Sequence, residues 1–189
     1  MNTVKRLYHT GFEIIPEPDI TAGRRNADFG QGFYLSDDQE FSKRWAKQRK
    51  GLSVYMNCYE LDPEGLNIMR FARDAEWFEY IFANRSGQKD AMAAYDVIIG
   101  PVANDTLYDT WGIITSGLIG TEQALELLSQ GPLYEQTVIK TEKALAALRY
   151  VETVLLTDDE IQRYRETVRD EEKQFQEVFL KKLDEIDIG

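Results

Sequence analysis

The sequence predicts a mixed α+β fold. Short strand-like runs alternate with short helical runs, and from Thr157 the pattern changes to one long amphipathic helix. The chain has 189 residues, of which 43% are hydrophobic, enough to build a buried core and too apolar for disorder. One domain over residues 1–156, followed by an acidic amphipathic helix over 157–189, accounts for this organisation. The helix is expected to pack on the domain or to serve as an interaction arm.

The elements follow in order. Thr3 to His9 reads as a first strand, and residues 11–31, rich in Gly, Pro and Asp, as a loop with room for a turn of helix. Gly32 to Leu35 is a second strand. Ser36 then caps a helix with Asp37 and Asp38 in its first turn, Phe41 and Trp45 on its apolar stripe and Gly51 at its end. Ser53–Tyr59 is β-branched and aromatic, as a strand requires. Asp74–Ala83 is a helix in which Trp77 is expected in the core. Tyr95–Pro101 is an apolar strand flanked by Asp96 and Asp105. Asp105–Leu118, carrying Trp111, and Thr121–Ser129 read as helices, with a cap at Asn104-Asp105-Thr106 and a break at Gly131-Pro132. Glu135–Lys140 alternates as a strand, Glu142–Leu148 is a short helix, and Arg149–Leu156 is a last strand.

Thr157-Asp158-Asp159-Glu160 has the form of a helix start. Ile161, Tyr164, Val168, Phe175, Val178, Phe179, Leu183 and Ile186 then recur as an apolar face, interrupted by Glu171 and Lys182.

Charge narrows the function. The net charge of −11 disfavours nucleic acid as a partner, because neutralising phosphates needs a basic surface. Thr157–Gly189 holds 11 acidic and 6 basic residues, a net of −5, which leaves −6 for the other 156 residues. Local basic clusters therefore remain available, and Arg24, Arg25, Lys43, Arg44, Lys47, Arg49 and Lys50 form one. Cys58 is the only cysteine, which excludes an intramolecular disulfide and a thiolate zinc site; it reads as a buried strand residue, and no metal is expected. The start has no secretory pattern and no apolar run reaches 18 residues, so a cytoplasmic protein with no membrane partner is expected.

Two stretches carry the chemistry. In Asp28-Phe29-Gly30-Gln31-Gly32-Phe33-Tyr34-Leu35-Ser36, two glycines lead into an aromatic strand that can offer a flat ring to a planar ligand such as nicotinamide. The only histidine, His9, lies 25 positions before Tyr34 in Leu7-Tyr8-His9-Thr10-Gly11. The glycines precede the strand, unlike those of a Rossmann turn, which follow one. Ser42 and Trp45 are three positions apart and so share a helix face. Of Glu135 and Gln136, adjacent on a strand, only one can face a cleft, and Gln136 is favoured.

These segments resemble the motifs of ADP-ribosyltransferases of the poly(ADP-ribose) polymerase type, the His-Tyr-Glu branch, and look closest to an uncharacterised bacterial family within it. Leu7–Gly11 is similar to the first motif and Phe29–Asp37 to the second. A serine eight positions after the tyrosine and an aromatic three further on fall here at Ser42 and Trp45. Gly131–Lys140 is similar to the third motif, with Gln136 where the family usually has glutamate.

The resemblance implies a split mixed β-sheet with flanking helices and a long C-terminal helix. It implies NAD as co-substrate, with nicotinamide between Tyr34 and Trp45. Ser42 and the backbone at Thr10 would hold the carboxamide, and His9 the adenosine-side ribose. Gly11, Gly32 and Phe33 would complete the pocket, with Arg24 and Arg25 placed for the pyrophosphate. Two residues depart from the pattern: Thr10 stands where glycine is usual, and Gln136 brings no charge. The second argues against polymer elongation and for mono-ADP-ribosyl transfer, slow NAD hydrolysis or a silent NAD-binding module. The acceptor would be a protein rather than a nucleic acid. Bacterial proteins of this kind often act as toxins or in defence, which by analogy implies a cognate inhibitor or antitoxin.

Overall fold

The computed structural model describes residues 3–103, 121–128 and 133–185. The fold is α+β, with two sheets and helices around them. The first sheet has the order β1-β3-β7, all antiparallel, from Lys5–Gly11, Val54–Leu61 and Leu148–Leu156. The second has the order β2-β6-β5-β4, from Phe33–Leu35, Glu135–Ile139, Val97–Pro101 and Ile68–Arg70. In it β2, β6 and β5 pair antiparallel, whereas β4 joins β5 in parallel. A backbone bridge joins the two sheets: Tyr8 N–H donates to Ser36 O at 2.8 Å, and Ser36 N–H returns to Tyr8 O at 3.0 Å. That bridge fixes the edge of β1 against the end of β2.

The helices are α1 (Gln39–Lys43), α2 (Ala75–Arg85), α3 (Thr121–Leu128), α4 (Glu142–Ala146) and α5 (Asp158–Glu185). Asp74 caps α2 by accepting from Trp77 N–H at 3.1 Å. The Trp77 ring is buried, and its Nε1–H donates to Pro101 O at 3.0 Å, which ties α2 to the end of β5. Phe29, Phe71, Tyr80, Ile98 and Phe175 pack in the same cluster. Fully burying an aromatic of this kind contributes roughly 1.5–3 kcal/mol. Cys58 is buried on β3, where burial pushes its thiol pKa up.

Helix α5 starts with a reciprocal cap. Glu160 N–H donates to Thr157 Oγ1 at 3.3 Å, and Thr157 N–H to Glu160 Oε2 at 2.9 Å. Ile161, Tyr164 and Phe175 bury its apolar face on the domain. Glu171, the break in that face, forms an ion pair with Arg44, so the interruption is a docking contact. Val178 and Leu180 are exposed.

Several elements differ from the sequence expectation. The helix after β2 runs only from Gln39 to Lys43, and Asp38, not Ser36, caps it, accepting from Glu40 N–H and Phe41 N–H. Ser36 sits too early in the chain: its backbone is paired to Tyr8, and its hydroxyl donates to Glu135 O at 3.2 Å and accepts from Asp38 N–H at 3.1 Å, which positions the capping residue itself. Gly51 is two residues into a tight turn closed by Arg49 and Leu52, with φ +78°, rather than a helix end. Residues 12–32 form turns and bends with no helix. They are pinned by side chains instead: Asn57 accepts from Ile15 N–H and donates to Glu13 O, each at 3.0 Å. Strand β4 is absent from the expectation, since three residues are too few to show alternation. The expected helix at 105–118, the Asn104-Asp105-Thr106 cap, Trp111, the Gly131-Pro132 break and Ile186 lie outside the described residues.

Candidate functional site

The seam between the sheets opens into a cavity of about 420 Å³. Its walls come from segments far apart in the chain. Strand β1 supplies His9 and Thr10, β2 supplies Tyr34, α1 and the turn after it supply Ser42 and Trp45, and β6 supplies Gln136. Arg24 lines it from the loop before β2. Gly11, Arg25, Gly32 and Phe33 do not line it. Arg25 is exposed, and Phe33 lies beneath the wall, its ring 4.8 Å from that of His9. Gly32 serves close packing of chain on chain: a Cβ there would lie 2.6 Å from Ile139 O.

The histidine has a defined tautomer. His9 Nδ1 lies 2.8 Å from Tyr34 O, and a carbonyl only accepts, so Nδ1 carries the proton. Nε2 carries the lone pair and, among the described residues, accepts no hydrogen bond. Burial lowers the His9 pKa, partly offset by the bond to Tyr34 O, which favours the charged form. The ring is therefore neutral at pH 7.

Tyr34 is fixed at its far end. Its hydroxyl donates to Gly30 O at 2.7 Å and accepts from Phe29 N–H at 2.9 Å. Burial, reinforced by the Asp28 charge, drives its pKa far up, so the phenol stays neutral and acts as a rigid wall. Trp45, by contrast, is 48% exposed and touches Phe41 edge-on at 6.2 Å between ring centres. Its expected place on the stripe of a longer helix is replaced by a place on the cavity rim, because the helix has already ended. Thr10 Oγ1 and Ser42 Oγ lie 3.0 Å apart, and both residues are buried. One hydroxyl proton is used between them. The second proton and the free lone pairs can serve a carboxamide, which needs a donor and an acceptor together.

The floor of the cavity is built on Asp28, to which the motif pattern assigns no role. Its Oδ1 accepts from Arg85 Nε at 2.8 Å and Nη2 at 2.5 Å. Its Oδ2 accepts from Ala103 N–H at 3.1 Å and Gln136 Nε2 at 3.0 Å. The pair is almost buried, with the two side chains 10% and 11% exposed. Gln136 Nε2 also reaches Pro101 O at 3.4 Å. Both neighbours are pure acceptors, so the NH₂ must face them and Oε1 must point away. Among the described residues Oε1 accepts no hydrogen bond. Glu135 takes the other side of β6, 3.7 Å from Arg70.

The Asp28-Phe29-Gly30 stretch is held at every step. Asn84 Nδ2 donates to Asp28 O at 3.0 Å, and Lys140 Nζ donates to Phe29 O. Lys140 also pairs with Asp90 at 2.7 Å. Gly30 has φ +70°, and a Cβ there would meet Asp90 Oδ2 at 2.7 Å. Asp90 and Arg85 stand outside every motif and Lys140 ends the third; their link to residues 28–30 exists only in three dimensions. Asp96, on the far side of β5, serves structure: it accepts from Asn67 N–H, Thr141 Oγ1 and Lys143 Nζ, which hold its pKa down to about 2.

A family model described as "Protein of unknown function (DUF3990)" matches residues 5–150, which include every cavity residue named above. No curated protein and no solved structure matches the chain. No helix among the described residues is long and apolar enough to cross a membrane.

Proposed function

We propose that this chain, which belongs to the DUF3990 family, binds NAD⁺ in the seam cavity and transfers single ADP-ribose units from it to a protein acceptor. One observation carries the reading: His9, Thr10, Tyr34, Ser42, Trp45 and Gln136, spread over 128 positions of sequence, line one cavity. The cavity volume of about 420 Å³ lies in the range of small-molecule sites, roughly 300–1,000 Å³. In this reading the two sheets are the split mixed sheet of the ADP-ribosyltransferase fold, and their seam is its NAD cleft.

The residues fit the parts of the ligand. Nicotinamide would lie between the Tyr34 wall and the Trp45 rim, with its carboxamide on the Thr10–Ser42 hydroxyl pair. His9 Nε2 would accept from a ribose hydroxyl, and Arg24 would meet the pyrophosphate. Nicotinamide leaves as the C1′–N1 bond breaks and takes the electron pair, so positive charge develops on the ribose. Gln136 Oε1 faces that charge as a dipole, and Asp28 holds the amide in that orientation. An amide cannot remove a proton from an acceptor. A carboxylate acceptor has none to lose: its oxygen bonds C1′ directly and brings the negative charge that Gln136 does not supply.

The same neutral Gln136 favours a second reading, a module that binds NAD⁺ without turning it over. The two part on one assay. Purified protein incubated with NAD⁺ and a carboxylate-bearing acceptor should release nicotinamide and label the acceptor. Saturable NAD⁺ binding with no release above background would leave the binder, and neither binding nor release would remove both.

A further inference from the structure

A second cleft, of about 560 Å³, lies between the turn after α1 and the outer face of α5. Lys47 lines both it and the seam cavity. Four cations line it: Arg44, Lys47, Arg165 and Arg169. Arg44 is committed, donating to Tyr134 Oη and pairing with Glu171. The other three are exposed, and among the described residues none has an ion-pair partner. Arg165 donates to Gln48 Oε1 at 3.3 Å.

This arrangement runs against the local chemistry. Arg165 and Arg169 are four apart and so adjacent on one helix face, where like charges destabilise a helix by a few tenths of a kcal/mol. Lys47 faces the same cleft from the other wall. Lys47, Arg165 and Arg169, none of them ion-paired among the described residues, thus share one cleft with only two carboxylates, Glu166 and Glu172, in a chain of net charge −11.

We infer that this cleft is a docking site for an acidic segment of a protein partner, seated with its carboxylates on Lys47, Arg165 and Arg169. Charge complementarity selects the occupant. Glu166 and Glu172 also line the cleft, and they would repel the unbroken phosphate charge of a nucleic acid strand. A peptide can place a few carboxylates between them, and the side-chain amides of Gln48 and Gln162 are there for its backbone. The binding claim stands by itself. That the docked segment is also the ADP-ribose acceptor, fed to the seam cavity past Lys47, rests on the proposed transferase reading.

The test titrates the full chain with a fluorescent glutamate-rich peptide, a lysine-rich peptide of equal length and a single-stranded oligonucleotide, following anisotropy at low and moderate salt. The acidic peptide should bind in a salt-sensitive way and the other two should not. The exposed double variant Arg165→Glu/Arg169→Glu should weaken it by roughly tenfold or more, since attraction becomes repulsion at two positions. The milder Arg165→Gln/Arg169→Gln should fall between. NAD⁺ binding should match wild type in both, which reads the seam cavity separately. Unchanged peptide affinity in the charge-reversed variant, or preference for the oligonucleotide, would overturn the inference. Loss of NAD⁺ binding in wild type with peptide binding intact would remove only the transferase reading.

Discussion

Gln136→Glu places a carboxylate where an amide N–H now meets Asp28 Oδ2 at 3.0 Å. Two full charges at that separation repel by roughly 5 kcal/mol at an effective dielectric of about 20. Arg85 offsets part of this but already serves Asp28 through two nitrogens. The new carboxyl escapes by keeping its proton in the folded state. Its folded pKa is then raised above the unfolded value of about 4.3. The unfolded chain ionises freely as pH rises, so the variant loses stability upward from about that pH. Each pH unit costs about 1.4 kcal/mol, which gives about 1 kcal/mol at pH 5 and a ceiling of about 4 kcal/mol at pH 7. For a chain of this size that is a melting-temperature drop of roughly 2–4 °C at pH 5 and 8–16 °C at pH 7. Thermal melts of wild type and variant across this range measure it. Asp28→Asn/Gln136→Glu should remove the pH dependence, because the neighbouring charge is gone. It is also the variant in which nicotinamide release should rise, because its carboxylate is free to face the ribose. A difference in melting temperature that does not change with pH would refute the contact on which this reasoning rests.

Other outcomes follow from the same geometry. Arg85→Ala should destabilise the fold by about 3–5 kcal/mol, because it strands the buried Asp28 carboxylate; urea unfolding would register it. Tyr34→Phe leaves Phe29 N–H without its acceptor and should cost about 1–3 kcal/mol in the same measurement. NAD⁺ affinity should hold from pH 8 down to about 6.5 and then fall as pH drops through the lowered pKa of His9, because protonation removes the Nε2 lone pair; calorimetry across pH would show it, and His9→Ala should abolish the dependence. The stabilising contacts of Asp96 are complete above its unfolded pKa of 3.8 and lost as pH falls through about 2, so Asp96→Asn should flatten the acid limb of the stability curve.

Much of this was legible where the signal is local. Strand β3 shows as β-branched and aromatic residues, α2 as the Asp74–Ala83 run around Trp77, and α5 by the Thr157–Glu160 box, because each is written within a few residues. The cavity residues were legible for another reason: they sit in short motifs whose order and spacing resemble a known family. What stayed hidden depends on distance in sequence. Asp28 and Arg85 are 57 positions apart, and Lys140 reaches Phe29 O across 111. No periodicity links such pairs. The end of α1 was hidden for a related reason. Phe41 and Trp45 do touch as a helical stripe would, but the chain turns after Lys43 to bury Ala46 beside Val54 and Met56. Trp45 is thereby left on the rim instead of in the core.

That rim position offers the most direct measurement of the account. Trp45 is half exposed at the cavity mouth, whereas Trp77 is buried in the core. Titrating NAD⁺ into the protein while following tryptophan fluorescence should give saturable quenching as nicotinamide stacks on the indole. The quench should vanish in Trp45→Leu and weaken in Ser42→Ala. Quenching that persists undiminished in Trp45→Leu, or none in wild type at millimolar NAD⁺, would contradict a nicotinamide site between Tyr34 and Trp45.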